Sequence, residues 1–229
     1  LPEDDWNRNV GPPDWLESDS FAYEFLHGVA SGDPTKTSLI IWTRITPSEE
    51  VNDSTLIPVW FEVQDVSCSV VVSGQTYTNA HVDFTVKLDI QCLSPSTSYS
   101  YWFYGDGLKS QTSHTRTLPD DDNLDPLRLA VYSCANYAGG FYHAYRMPVI
   151  KGTVDYIVHL GDYIYEYASG VYTNVTHLGR DHKPEHECET SEYYRIRYAL
   201  YRSDRDLQDS HARFPWILVW DDHEVTYNS

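Results

Sequence analysis

Three short apolar segments, each running straight into a polar tail rich in ligand atoms, constrain this chain more than anything else in it. In VDYIVHLGDYIYEY (Val154 to Tyr167), a strand through Tyr156, Ile157, Val158 and Leu160 meets Gly161-Asp162, and Tyr165 follows the aspartate by three residues. In LRLAVYSCAN, the alternating run Leu127 to Tyr132 has β-branched and aromatic content and stops at Ser133-Cys134. In WILVWDDHE, Ile217 to Trp220 reads as a short, fully buried strand ending at Asp221-Asp222-His223-Glu224. Helix-length segments separate the three: Tyr142 to Ile150, and Ser191 to His211 with Tyr194, Tyr198, Tyr201 and Leu207 on one stripe. Strand–helix–strand–helix–strand predicts right-handed crossovers and a largely parallel sheet. Open α/β sheets collect their ligands at the carboxyl ends of the strands. Cys134, Asp162 with Tyr165, and Asp222 with His223 are therefore expected to leave the same sheet edge.

Taken alone, Gly161-Asp162 and Tyr165 read as a sharp glycine turn, a turn aspartate and a core tyrosine. A carboxylate and a phenol so close together also offer two oxygen donors, which suit a hard, highly charged cation. Convergence of three such strand ends on one edge favours a metal site over the purely structural reading. His177, His182 and His186, in the loop Gly170 to Glu189, obey no ligand spacing. They read as a solvated loop, of the kind that shapes substrate entry beside a site.

The first half of the chain has a different texture. Leu1 to Ser20 is polar, with Pro12-Pro13 and two tryptophans, and reads as an extended arm. Phe21 to Leu118 carries strand signals without a helix: Leu39 to Arg44, Ile57 to Gln64, Cys68 to Val72, Val82 to Cys92 and Tyr99 to Tyr104. LSPSTSYSYWF is like the tyrosine corner of a fibronectin type III-like sandwich, with Leu93, Pro95, Thr97 and Tyr99 alternating into a strand. The acidic stretch PDDDNLDP (119–126) is a linker by composition, and 127–229 is the α/β part. In the Val82 to Cys92 strand, Cys92 shares the parity of the apolar residues and is expected to point inward, so Cys68–Cys92 is the expected disulfide. Cys134 is reserved for metal, and Cys188 is left free or paired outside the chain.

Composition excludes several classes. The net charge is −18 over 229 residues, a surface that repels nucleic acid and anionic membranes. A phosphate site on such a surface must bring its own positive charge, which a metal pair supplies. No apolar run approaches the roughly twenty residues that span a bilayer. The sequence starts at Leu1, read as a processed N-terminus. Asn52-Asp53-Ser54 and Asn174-Val175-Thr176 are N-glycosylation acceptors. Together these features predict a secreted, extracellular glycoprotein modified at Asn52 and Asn174.

HLGDYIYEY, VWDDHE and the strand ending in Ser133-Cys134 resemble the metal-binding motifs of the PhoD-type metallophosphoesterases, the alkaline phosphatase D and phosphodiesterase group. FLHGVASGDPTKTSLIIWTRITP (Phe25 to Pro47) is similar to the opening of that family's N-terminal domain, and YRIRYALYRSDRDLQDSHARFP to the helix before its DHE motif. The resemblance covers about Phe21 to Tyr227 and rests on four motifs in order. It implies a fibronectin type III-like β-sandwich followed by part of a calcineurin-like α/β sandwich. It also implies a hydrolase that cleaves phosphate mono- or diesters by attack of a metal-bound hydroxide. On it, Cys134, Asp162 and Tyr165 hold a ferric ion, a donor set that suits iron(III). Asp162 bridges to calcium or another divalent ion bound by Asp222, and His223 is the proton donor or transition-state stabiliser. The plain alternative for His223 is a capping or core histidine. Asn136 stands two residues past Cys134, where calcineurin-type relatives place a histidine, and is a poor replacement for it.

The family continues well past Ser229 and supplies further ligands from that part. A remnant of the catalytic domain with an exposed half-core does not stand alone comfortably. The expectation is therefore a piece of a longer polypeptide, or a chain completed by another chain or by self-assembly. The alternative is a non-catalytic structural or assembly subunit that reuses the fold.

Overall fold

A computed structural model describes residues 23–173 and 176–225. The expected arm, Leu1 to Ser20, and the sequon residue Asn174 lie outside the described residues. The chain divides into two compact units, Leu1–Leu124 and Asp125–Ser229, so the division falls inside the acidic stretch 119–126.

The first unit is antiparallel. Its strands are β1 (Tyr23–Glu24), β2 (Val29–Gly32), β3 (Leu39–Arg44), β4 (Thr46–Pro47), β5 (Ile57–Gln64), β6 (Val70–Thr78), β7 (Thr85–Ile90), β8 (Ser98–Gly105), β9 (Leu108–Lys109) and β10 (Ser113–Arg116). β2, β3 and β7 form one sheet, and β10, β8, β5 and β6, with β9 on β8, form the other. Strict alternation builds the core of this sandwich: Leu39 and Ile41 on β3, Ile57, Val59, Phe61 and Val63 on β5, Val86, Leu88 and Ile90 on β7, and Tyr99, Tyr101 and Phe103 on β8 are all buried. The corner expected at Tyr99 is present. The Ser94 amide donates to the Tyr99 hydroxyl at 2.8 Å, so the buried phenol is satisfied by the turn that precedes its own strand.

The disulfide expectation fails. Cys68 and Cys92 are both free and exposed. Inward alternation on β7 stops at Ile90, and the positive φ of 60° at Cys92 turns the chain out of strand geometry. Cys68 lies in the turn before β6 with φ 62°, its amide bonded to the Asp65 carbonyl at 3.1 Å. It therefore belongs to no strand, and β6 begins two residues later than expected.

In the second unit, β11 (Leu129–Tyr132), β12 (Tyr156–His159) and β13 (Pro215–Leu218) pair in parallel. Helix α1 (His143–Lys151) joins β11 to β12, and α2 (Ser191–Arg202) and α3 (Arg205–Arg213) precede β13. The single helix expected over Ser191 to His211 is thus two. The Asp204 carboxylate accepts the amides of Asp206 at 3.0 Å and Leu207 at 3.2 Å, capping a new helix where the old one ends. The core gathers Ile157, Trp216, Tyr142, Tyr145, Tyr163, Tyr201 and Leu207. Its tyrosine hydroxyls are paired inside: Tyr145 with His159 at 3.0 Å, Tyr163 with His211 at 2.9 Å, and Tyr142 with the Ala135 carbonyl at 2.8 Å. The last strand is not fully buried as expected. Pro215 and Trp216 are covered, whereas Ile217, Leu218, Val219 and Trp220 are exposed.

Candidate metal centre

Parallel pairing puts the carboxyl ends of β11, β12 and β13 on one edge, and the ladder continues past the strands. Leu160 N–H donates to the Tyr132 carbonyl at 2.9 Å, Cys134 N–H to Gly161 at 3.2 Å and Ala135 N–H to Asp162 at 2.8 Å. Gly161 is required twice. Its φ is 104°, and a Cβ there would lie 2.5 Å from Asp221 Cβ and 2.7 Å from Asp221 N. The β12 loop thus passes directly against the tail of β13, bringing Asp162 and Asp222 together. Cys134 and Asp162 both adopt left-handed backbone, φ 59° and 53°, a strained choice for non-glycine residues that is common at functional sites.

The side chains meet at the Asp162 carboxylate. Cys134 Sγ lies 3.5 Å and Tyr165 Oη 3.3 Å from Asp162 Oδ2. Ligand-capable atoms of Asp162, Asp222 and His223 all fall within 4.8 Å of one another. All five residues singled out from the sequence (Cys134, Asp162, Tyr165, Asp222 and His223) therefore converge. Burial, reinforced by the neighbouring Asp162 and Cys134, pushes the Tyr165 phenol far above its usual pKa, so without a cation it stays protonated and donates to Asp162.

His223 is buried. Its Nδ1 faces Glu166 Oε2 at 2.8 Å, and its ring lies 4.3 Å from that of Tyr165. A carboxylate only accepts, so Nδ1 is the donating nitrogen of this pair. It is a buried histidine oriented by a carboxylate.

Residues 129–228 match the PhoD-like phosphatase family, and residues 12–119 match its N-terminal domain. The chain belongs to the PhoD-like phosphatases. It is 37% identical over 214 residues to alkaline phosphatase D of Bacillus subtilis (strain 168), a match covering 90% of this chain and 36% of that protein. A solved structure titled as that of PhoD superposes with a TM-score of 0.81 at 37% identity, covering 89% of this chain and 40% of the other. The chain thus spans little more than a third of the curated relative's length. What is present is the family's N-terminal domain and part of its catalytic domain.

The residues fit a bound metal ion. Asp162 Oδ1 is buried without a hydrogen-bond partner, an arrangement that is costly unless a cation or another donor completes it. The donors around it are a thiol, two carboxylates, a phenol and an imidazole.

Two residues of the site escaped the sequence reading. Glu166 orients His223, and the Glu224 carboxylate accepts the amides of Asp162 at 3.1 Å, of Ile164 at 3.2 Å and of Tyr163. The capping-box spacing of Asp221 and Glu224 was the available signal for the latter. The solvated-loop reading holds for His177 and His186, which are exposed, and fails for His182, which is buried. Its Nδ1 lies 3.0 Å from the Tyr167 carbonyl and its Nε2 3.3 Å from Asn136 Oδ1. Burial, then the Arg197 charge, lowers its pKa to about 4. It is a core histidine beside the site and not one of the converging group.

Proposed function

We propose that this chain is the N-terminal portion of a secreted, metal-dependent phosphoesterase acting on phosphate mono- or diesters. The observation that carries the reading is the Asp162 carboxylate, with Cys134 and Tyr165 on one oxygen and the other buried without a partner. An idle, purely structural reuse of the fold gives no reason to keep that oxygen unsatisfied.

Cys134, Asp162 and Tyr165 are the residues that would hold a ferric ion, and Asp162 with Asp222 a second ion, calcium or another divalent metal. Together such ions supply Lewis-acid stabilisation of phosphoryl charge and a hydroxide nucleophile at neutral pH. His223, with Nδ1–H donated to Glu166, presents Nε2 as the proton donor to the leaving alkoxide or as a hydrogen bond to phosphoryl oxygen. The left-handed backbone at Asp162 accompanies a carboxylate whose Oδ2 meets both Cys134 Sγ and Tyr165 Oη. A phosphate ester is drawn to a chain of net charge −18 only through the cations of the site, so metal loading and substrate binding are coupled.

Secretion and glycosylation are part of the proposal. Asn52 is exposed, in a turn where its Oδ1 accepts from the Ser54 amide at 3.0 Å, so the acceptor is reachable. Among the described residues no helix is long and apolar enough to cross a membrane.

The test uses the full-length protein: metal content by elemental analysis, hydrolysis of aryl phosphate mono- and diesters, and glycosidase mass shifts of the peptides bearing Asn52 and Asn174. Iron with a divalent partner and chelator-sensitive hydrolysis are expected. A full-length protein that binds no metal and cleaves neither ester class would sink the reading, and no glycosidase shift at either peptide would remove glycosylation from it.

A further inference from the structure

Glu224 closes the DDHE run without belonging to the ligand set, yet its carboxylate ties two strand ends together. Oε2 accepts the Asp162 amide at 3.1 Å and the Asp221 amide at 2.8 Å. Oε1 accepts the Ile164 amide at 3.2 Å and the Tyr163 amide. Three consecutive N–H groups converging on one anion form a backbone nest, here filled by a side chain from the 3-10 turn that follows β13. All four partners are donors, so both oxygens must accept. Glutamine, isosteric with glutamate, would turn an NH2 group against an N–H.

The far end of the same loop is held by the opposite charge. Arg197 on α2 is fully buried, and its guanidinium donates to the carbonyls of Tyr165 and Tyr167, the latter at 3.0 Å. It also donates to Lys183, Pro184 and His186 at 3.0, 2.9 and 3.3 Å. An anion therefore takes the N–H groups at the start of 162–167 and a cation takes the C=O groups at its end. Between them lie Asp162, Tyr165 and Glu166, the partner of His223.

We infer that Glu224 and Arg197 are positioning residues, a two-ended clamp that presets Asp162, Tyr165 and Glu166 in ligand-ready geometry. The consequence for metals rests on the phosphoesterase reading, but the clamp itself does not. Sites whose ligands are fixed by a supporting shell bind without the entropy loss of ordering the loop.

The experiment is hydrogen exchange on the full-length protein and on Glu224→Gln, Glu224→Asp and Arg197→Lys, followed by metal titration. In Glu224→Gln the amides of Asp162, Tyr163 and Ile164 are expected to exchange about 10–100-fold faster, as befits lost charge-assisted hydrogen bonds, while Ile157 and Val158 in β12 are unchanged. Glu224→Asp keeps the charge but is one methylene short, and carries the same test if the glutamine variant does not fold. Arg197→Lys is expected to loosen instead the amides of Ser169 and Cys188, which bond to Glu185 and Glu166 carbonyls at 2.7 and 2.9 Å. Metal affinity is expected to fall about 10–100-fold in the Glu224 variants. Wild-type exchange at 162–164 in both Glu224 variants would overturn the clamp, and loosened amides with undiminished metal affinity would overturn its positioning role. Because the exchange measurement needs no metal, a wild type that takes up none defeats the metal reading while loosened amides still support the clamp.

Discussion

His223 Nδ1 sits 2.8 Å from Glu166 Oε2, with both residues buried. The carboxylate fixes the ring tautomer and orientation. In the full-length protein, on the phosphoesterase reading, His223→Ala is expected to leave metal content intact and lower kcat by about a hundredfold or more, the scale of a positioned acid. Glu166→Gln is expected to cost about 10–100-fold with KM little changed. Steady-state kinetics beside elemental analysis check both; loss of metal in His223→Ala would instead make the histidine a ligand.

Tyr165 and Cys134 both address Asp162 Oδ2, at 3.3 and 3.5 Å. If they share a ferric ion, tyrosinate gives a visible charge-transfer band. Tyr165→Phe is expected to bleach that colour and Cys134→Ala to weaken or abolish metal binding. An unaltered absorption spectrum in Tyr165→Phe would remove the phenol from the ligand set.

Much of this site was readable because its chemistry is local. Cys134, Asp162, Tyr165, Asp222 and His223 all follow closely on the strand ends Tyr132, His159 and Leu218, and parallel pairing does the rest. Glu166 was not readable, because its partner His223 is 57 residues away in sequence, and the local capping-box spacing that marks Glu224 gives no hint of its bond to the Asp162 amide 62 residues away. The break at Asp204 shows the same limit: the tyrosine and leucine stripe extends across it, and a local side-chain cap overrides the pattern. Cys92 failed for a related reason. Strand parity holds only while φ stays extended, and the turn at Cys92 is a backbone event that alternation of residue type does not reveal.

Acid is expected to destabilise the chain before ordinary carboxylates titrate. Burial depresses the His159 pKa to about 4, as it does for His182, and holds His211 well below its usual value. The Gly161 amide donates to His159 Nδ1 at 3.3 Å, which requires the neutral ring. The unfolded chain binds these protons below about pH 6.5 and the folded chain does not, so stability is lost as pH falls from about 6.5 toward 4 and the loss levels off below that. His159 and His182 each account for on the order of 3 kcal/mol of this loss. Urea unfolding midpoints at pH 7.5 and 5.0 check this; equal midpoints would contradict it.

Thiol labelling separates the cysteines. Cys68 and Cys92 are exposed and free, whereas Cys188 is buried, its pKa raised by that burial, with its Sγ 3.6 Å from the Tyr193 carbonyl. Iodoacetamide is expected to modify Cys68 and Cys92 in the native protein and Cys188 only after denaturation, since the thiolate is the reactive species. Peptide mapping that finds Cys68 linked to Cys92 would restore the disulfide that the structure does not form.

Gly161 offers the sharpest structural test. A methyl group there meets Asp221 Cβ at 2.5 Å, Asp221 N at 2.7 Å and the Trp220 carbonyl carbon at 2.9 Å, and the φ of 104° is unfavourable for any L side chain. Two of the three obstacles are backbone, so no rotamer change relieves them, and the β12 loop must move away from the β13 tail. Gly161→Ala is therefore expected to cost about 2–5 kcal/mol, combining backbone strain with overpacking. The same movement separates Asp162 from Asp222 and draws the amides of 162–164 off Glu224, so metal affinity is expected to fall with stability. Ala138→Gly, in the turn Tyr137–Gly139, serves as a control at a residue outside the ligand set. A Gly161→Ala protein with wild-type unfolding midpoint and wild-type metal uptake would show that β12 and β13 do not approach as closely as this geometry requires.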